Sequence, residues 1–392
     1  MRELKLPTLA SLDNYNFTAF SGTPTKIAPP VGYFENGKAP DRGFGAQWQN
    51  YIESAFQKQI ELSAQLPFRN FVEIAAIPAT TTQPRFSFSP YVGMTFVANG
   101  VNNSPKYFQE FLEAAAGPVP LGITLSPAAG NFVPKDLVNN YSLWVFVGSN
   151  STATTKTIWE VDPILNTFTE KTSPVSGSVE CVCRDPVTGD IYAFAADTNR
   201  SVLKRDHTTG TWSAIGTRGA GATAPSNGSY CAAYNDVLIL ANDHTNPAVD
   251  KITVSPFAVT VHTLSLTDTT TLLDCRWSDP LQSFMVLTQR GWYVFADPAT
   301  TIGTYSNLDP ATANVATGGC LTNTGAVGWR QTPTNQALYI RTWPGEAGGQ
   351  MKFGADVASP STGVFVRYDG SAIWFMIDKS GTKRLFRSLR AG

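Results

Sequence analysis

The chain has 392 residues, which is long for one ordinary domain and suits two domains or one array of repeats. Its 29 basic and 30 acidic residues nearly cancel, so the chain as a whole lacks the basic character of a nucleic-acid-binding protein. A hydrophobic content of 42% excludes global disorder, and no apolar run approaches the roughly 20 residues that a membrane-spanning helix needs.

The first segment, residues 1–43, contains no periodic element and is predicted to be an extended N-terminal arm. It is rich in turn-forming stretches such as SGTPTKIAPPVG and NGKAPDRG. A turn-rich arm of this length is not expected to stay ordered unless it lies on another surface. Its first residues, MRELKLPTLASLDN, lack the unbroken apolar stretch of a secretory signal peptide, so we expect a soluble chain that is either intracellular or assembled inside a cell.

The second segment, residues 44–67, carries the clearest helical pattern in the chain. Apolar residues recur three and four positions apart, which predicts an amphipathic helix with one aromatic face, and Pro67 ends it. This face could pack on the body of the same chain or dock onto neighbouring subunits, and the preceding arm favours docking. The predicted docking residues are Phe44, Trp48, Tyr51, Ile52 and Phe56.

The stretch GYFENGKAPDRGFGAQWQNYIESAFQKQI resembles a module near the N-termini of many virion proteins of tailed bacteriophages. In that module a Gly-x-x-Pro turn precedes a helix with a Trp-x-Asn-[Tyr/Trp] core. The matching positions are Gly37, Pro40, Trp48, Asn50 and Tyr51. The spacer between the proline and the tryptophan is longer here than in the commonest version. The resemblance implies a virion structural protein attached near the tail or neck, with its C-terminal body projecting outward and assembly in the host cytoplasm.

The third segment, residues 68–392, is organised by a repeat. Four cysteines are separated by 48, 44 and 45 residues, and one further step of 45 reaches a phenylalanine in an apolar run. Each cysteine precedes a second apolar run, such as DIYAFAAD or DVLILAND, and further runs follow. A period of about 40–50 residues with four short strands is typical of a β-propeller. The repeat-core markers are Cys183, Cys231, Cys275, Cys320 and Phe365.

We therefore predict an all-β fold, a β-propeller over residues 68–392, with seven blades favoured and six as the alternative. The last repeat ends after three runs, because the chain stops soon after KRLFRSL. A propeller must close its ring or expose strand edges on two blades. The segment NFVEIAAI (70–77) is predicted to supply the missing strand.

The predicted body shows no clear catalytic pattern. A glycosidase needs two carboxylates that converge on one site, and the repeat places Glu180, Asp185 and Asp274 near innermost strands. Arg184 and Arg276 each follow a marker cysteine directly, and we interpret them as structural. Five cysteines and three histidines, spaced without ligand pairs, indicate neither a disulfide framework nor a metal site.

These observations predict a non-enzymatic virion structural protein with no catalytic residue, cofactor or metal. Its expected partners are other virion proteins of the tail, neck or adaptor, and copies of itself, with host-surface glycan as a further partner. Neither nucleic acid nor a membrane span is expected. The alternative is a glycan-binding or glycan-cleaving propeller of a host-recognition apparatus.

Overall fold

The computed structural model divides the chain into two compact units, Met1–Pro67 and Phe68–Arg390. Every regular element in the part of the chain that it describes is a β-strand. The predicted helix at 44–67 lies outside the described residues. The structure describes residues 16–18, 24–26, 68–77, 85–89, 94–98, 106–109, 119–121, 132–140, 143–162, 165, 167–226, 228–242, 248–263, 272–289, 291–295, 305–307, 318–323, 325–331, 336–342, 348–352, 365–368, 373–379 and 382–390.

The N-terminal unit contains a short hairpin within the segment predicted to be an extended arm. Strand β1 (Asn16–Thr18) pairs antiparallel with β2 (Pro24–Lys26). The rest of residues 1–43 lies outside the described part.

The second unit contains seven four-stranded antiparallel sheets among its described residues. In chain order, the first four comprise β4 (Arg85–Ser89), β5 (Met94–Ala98), β6 (Lys106–Gln109) and β7 (Val119–Leu121); β8 (Phe132–Asn140), β9 (Leu143–Asn150), β10 (Ile158–Asp162) and β11 (Thr167–Lys171); β12 (Val179–Arg184), β13 (Ile191–Ala195), β14 (Ser201–Arg205) and β15 (Trp212–Thr217); β16 (Tyr230–Tyr234), β17 (Val237–Asn242), β18 (Ala248–Thr253) and β19 (Ala258–Thr263).

The remaining three sheets follow the same order, and the last one also takes a strand from the start of the unit. They comprise β20 (Leu272–Ser278), β21 (Ser283–Thr288), β22 (Gly291–Phe295) and β23 (Tyr305–Asn307); β24 (Gly318–Leu321), β25 (Gly325–Gln331), β26 (Gln336–Thr342) and β27 (Gly348–Lys352); β28 (Phe365–Tyr368), β29 (Ile373–Lys379), β30 (Thr382–Arg390) and β3 (Phe68–Ile77).

Tight turns connect strands that are neighbours both in sequence and in space. In the turn between β12 and β13, the Asp185 Oδ1 atom accepts the backbone N–H of Val187 at 2.8 Å. Gly189 completes this turn with a φ of 77°, a conformation that glycine adopts without strain. The segment RDHTTGTW forms a similar turn between β14 and β15, in which Asp206 Oδ1 accepts two backbone N–H groups.

The strand predicted at 70–77 completes the last sheet, as its pairing shows. Strand β3 runs antiparallel to β30, with Val72 opposite Arg387 and Ile77 opposite Lys383. In the first sheet, the segment predicted as the fourth strand, residues 122–127, lies outside the described residues. The described fourth strand is Val119–Leu121, and its outermost position in the sheet tolerates Pro120.

The seven sheets are arranged in a ring through their first strands. Each first strand contacts the first strand of the next sheet, from β4 through β8, β12, β16, β20 and β24 to β28, and β28 contacts β4. The apolar core lies between the faces of neighbouring sheets and includes the fully buried side chains Trp144, Tyr192, Phe194, Phe284 and Trp292. This radial stacking is the architecture of a β-propeller.

Partly or fully buried ion pairs join neighbouring sheets at spacings close to the repeat. Lys135 Nζ lies 2.5 Å from Glu180 Oε1, and Arg205 Nε lies 2.6 Å from Glu160 Oε1. In both pairs the partners are 45 residues apart in the sequence. Within the described ranges, no helix is long and apolar enough to cross a membrane.

Candidate functional site

The five marker residues all lie on first strands, the innermost position of a propeller sheet. Cys183 is on β12, Cys231 on β16, Cys275 on β20, Cys320 on β24 and Phe365 on β28. The cysteines are free thiols. Burial, reinforced by the neighbouring thiols of β12, raises the pKa of Cys231, and burial together with the charge of Asp274 raises the pKa of Cys275. These thiols therefore act as small apolar side chains.

A pocket of about 380 Å³ occupies the centre of the ring and is called the channel pocket here. Its described lining comes from first strands of five sheets and the turns that follow two of them. The lining residues are Asp136, Leu137, Val138, Val182, Cys183, Arg184, Pro186, Tyr230, Cys231, Ala232, Ala233, Asp274, Cys275, Arg276, Trp277, Asp279, Arg367 and Tyr368.

The side chain of Arg367 forms the floor of the channel pocket. Its Nη1 atom donates to the Gly319 carbonyl oxygen at 3.2 Å and to the Leu273 carbonyl oxygen at 3.4 Å. Its Nη2 atom donates to the Tyr230 hydroxyl at 2.8 Å. One guanidinium group on β28 thus bonds to β24, β20 and β16. Because these partners lie near the starts of their strands, the bonds cross the channel at that end.

The opposite end of the channel pocket is the mouth. Pro186 and Asp279 line it, and both belong to turns that connect a first strand to a second strand. First strands around a propeller run in the same direction, so these turns lie on one face of the disc. The channel pocket therefore opens on the face that carries the turns between first and second strands.

Arg276 lies half-buried in the wall of the channel pocket. Its Nη1 atom donates to the Leu321 carbonyl oxygen at 3.2 Å, and its guanidinium carbon lies 4.8 Å from the ring centroid of Tyr368. The hydrogen bond and the cation–π contact fix the plane of the guanidinium. Arg276 and Arg367 approach β24 from opposite sides, one at Leu321 and the other at Gly319.

The channel acids accept hydrogen bonds from backbone N–H groups of the next sheet. Asp136 Oδ2 accepts the N–H of Val182 at 2.9 Å, and Asp274 Oδ2 accepts the N–H of Leu321 at 2.8 Å. The other oxygen of Asp274 accepts the N–H of Cys275 at 2.9 Å. Inner strands present N–H groups that no fifth strand pairs, and these carboxylates satisfy them.

No protein-family model matches this chain, and no curated protein sequence matches it. Among solved structures, one titled "YCF48 bound to D1 peptide" resembles it with a TM-score of 0.55 and 12% sequence identity. The match covers 82% of this chain and 95% of that one. The likeness shows the fold, a β-propeller. At this identity it extends to the fold alone.

The three acids singled out from the sequence are not brought together in the channel pocket. Asp274 lines it, whereas Glu180 and Asp185 are not among its described lining residues. Glu180 is buried and holds Lys135 and the Ser178 hydroxyl, each at 2.5 Å. Asp185 shapes its own turn and also accepts the N–H of Asp236 at 2.8 Å.

Sequence reasoning identified Arg184 and Arg276 near the axis but missed Arg367. The repeat spacing compared one position per sheet, and that position in the last sheet holds Val366. Neighbouring residues of a strand point to opposite sides. Arg276, one position after its marker, points from β20 to the next first strand, β24. Arg367, two positions after its marker, points from β28 back to β24. A search of both positions after each marker would have found it.

The predicted docking residues Phe44, Trp48, Tyr51, Ile52 and Phe56 lie outside the described residues. Within the described ranges, no group of three or more His, Cys, Asp or Glu side chains is placed to hold a metal ion.

Proposed function

We propose that this chain is a non-enzymatic structural protein of a bacteriophage particle. Its N-terminal arm and helix attach it near the tail or neck, and its propeller serves as an assembly or host-contact body. The observation that carries the proposal is the pairing of β3 with β30. Because the body completes its last sheet with a strand that begins at Phe68, the preceding 67 residues are left for attachment.

The finer architecture in this proposal is a propeller of seven blades, each formed by one four-stranded sheet. The contacts of β28 with β4 and of β4 with β8 support a ring that includes all seven sheets. A six-bladed ring would leave one sheet outside these contacts. A closed disc is rigid and presents two broad faces, which suits a repeated contact in a symmetric particle.

The partners of the buried acids support a binding role over catalysis. Glycoside hydrolysis needs two carboxylates that face one substrate. Here Glu180 holds a lysine of the neighbouring sheet, and both oxygens of Asp274 accept backbone N–H groups. The solved propeller that resembles this chain is titled as bound to a peptide, in keeping with a binding function for such a body. The alternative function is a propeller that binds or cleaves glycan. For this alternative, the channel pocket supports glycan binding more than glycan cleavage.

Particle incorporation of Trp48→Ala tests the attachment. We expect the variant protein to fold with an unchanged melting temperature and to be lost from purified particles by at least about tenfold, since central aromatic residues dominate docking interfaces. Leu165→Ala, which removes an exposed apolar side chain of the body, is the matched control and should reduce incorporation much less.

Two outcomes would contradict the proposal. Full incorporation of Trp48→Ala would show that the helix is not the docking element. A loss of several kcal/mol in the stability of the isolated variant would instead place Trp48 in the protein's own core, because removing a buried tryptophan costs about 3–5 kcal/mol.

A further inference from the structure

Arg276 has more hydrogen-bond donors than the described residues use. A guanidinium carries five N–H donors, and Leu321 O is the acceptor that Arg276 has among the described residues. The group is half-buried and lines the channel pocket. A half-buried cation with several unused donors is a recognition element for an anion that enters from the mouth.

The guanidinium of Arg276 is already oriented before any ligand arrives. The ring of Tyr368 lies against the guanidinium and the Leu321 carbonyl holds Nη1, so little side-chain freedom remains to be lost on binding. A planar guanidinium with a free edge matches the two oxygens of a carboxylate through paired, parallel hydrogen bonds.

The charges around Arg276 favour a ligand with one negative charge. Three arginines and three aspartates are the charged residues in the described lining, so this part of the lining is close to neutral. Asp136 and Asp274 are held in place by backbone N–H groups and cannot move away. These carboxylates repel any anion, but they repel a dianion such as a phosphate monoester more strongly than a monoanionic carboxylate, which one guanidinium can pair.

We propose that the channel pocket binds a compact monoanionic carboxylate, of about the size of one sugar acid, through paired hydrogen bonds to Arg276. The volume of about 380 Å³ is in the range of small-molecule sites, and the floor at Arg367 limits how far a ligand can enter. This inference does not depend on attachment of the chain to a particle.

Calorimetric titration of the full chain at pH 7.5 with three matched sugars tests the proposal. Glucuronate carries a carboxylate, glucose is neutral, and glucose 6-phosphate is mainly a dianion at this pH. We expect saturable binding of glucuronate, no binding of glucose, and affinity for glucose 6-phosphate at least about tenfold lower than for glucuronate. Equal affinity for all three sugars, or no binding of glucuronate, overturns the proposal.

Substitutions of Arg276 locate the binding. Arg276→Gln should abolish glucuronate binding, and Arg276→Lys should weaken it by at least about tenfold, since an ammonium cannot make the paired contact. Lys251→Gln removes one positive charge on β18, outside the described lining, and should leave the affinity unchanged. Unchanged affinity in a folded Arg276→Gln or Arg276→Lys protein overturns the assignment.

Discussion

Arg367 joins more sheets than any other side chain for which the structure gives contacts. Its guanidinium on β28 bonds to the Gly319 and Leu273 carbonyl oxygens and to the Tyr230 hydroxyl, and 9% of the residue is exposed. A buried acceptor that loses its donor has no water to replace it, and this loss costs about 1–3 kcal/mol for each group. The residue therefore contributes to stability through contacts with three other first strands at once.

We expect Arg367→Met to lower the free energy of unfolding by about 3 kcal/mol or more, because several acceptors lose a charged donor together. Urea denaturation measures the change, and an unchanged slope would show that the same surface is exposed on unfolding. Lys251→Met, with one charge removed on β18, should change stability by less than about 0.5 kcal/mol. A loss for Arg367→Met as small as that of this control would refute the role of the guanidinium.

Side-chain contacts such as these could not be predicted from the sequence. The marker spacing located the axis because small buried thiols recur at first strands. The spacing could not reveal that the side chain of Arg367 crosses the axis, since this depends on the side of β28 to which the side chain points. Nor could it separate Glu180, which holds Lys135, from Asp274, which lines the channel pocket. The spacing of the markers gives the position of a residue along its strand, whereas its contacts depend on the side of the strand to which its side chain points.

At the level of elements, strand β9 illustrates how closely neighbouring backbones pack. Gly148 lies opposite Pro134, next to a register shift in β8. A methyl group on Gly148 would overlap the carbonyl oxygen of Val133 and would lie 3.0 Å from Phe132 Cε2. Because the oxygen belongs to the backbone of a paired strand, it cannot move aside cheaply.

We expect Gly148→Ala to destabilise the protein by about 3 kcal/mol, in the range for overpacked cores. Gly221→Ala is the matched control, because an added methyl group there meets nothing within 4 Å. It should change the free energy of unfolding by less than about 0.5 kcal/mol. Thermal denaturation of both variants checks the difference, and similar melting temperatures would contradict the packing at β9.

The strands themselves were largely predictable from the sequence. The third strands of the later sheets carry β-branched and aromatic runs between clear turns, as in SVLKRDH, where β14 covers Ser201–Arg205. The first sheet was harder to predict. Its first strand, Arg85–Ser89, precedes the series of marker cysteines, and β6 at Lys106–Gln109 covers the described part of the run predicted over 107–114.

For the whole second unit, the ring depends on a strand from the opposite end of its sequence. Strand β30 has β29 on one side and β3 on the other, and the pairing with β3 extends from Phe68 to Ile77. Without β3 the last sheet would have three strands, and the long strand β30 would become its exposed edge. Unpaired edges promote association between chains, and this property gives the last prediction.

A chain that begins at Phe68 should unfold cooperatively in urea and remain monomeric, because every sheet keeps four strands. A chain that begins after Ile77 should be less stable and should associate, as sedimentation would detect. Adding the peptide 68–77 should restore both properties by pairing with β30, in the manner of strand addition. Equal stability and a monomeric state for the two truncated chains would show that β3 is not needed for closure. In that case the geometry of the body would no longer distinguish residues 1–67 as the attachment segment.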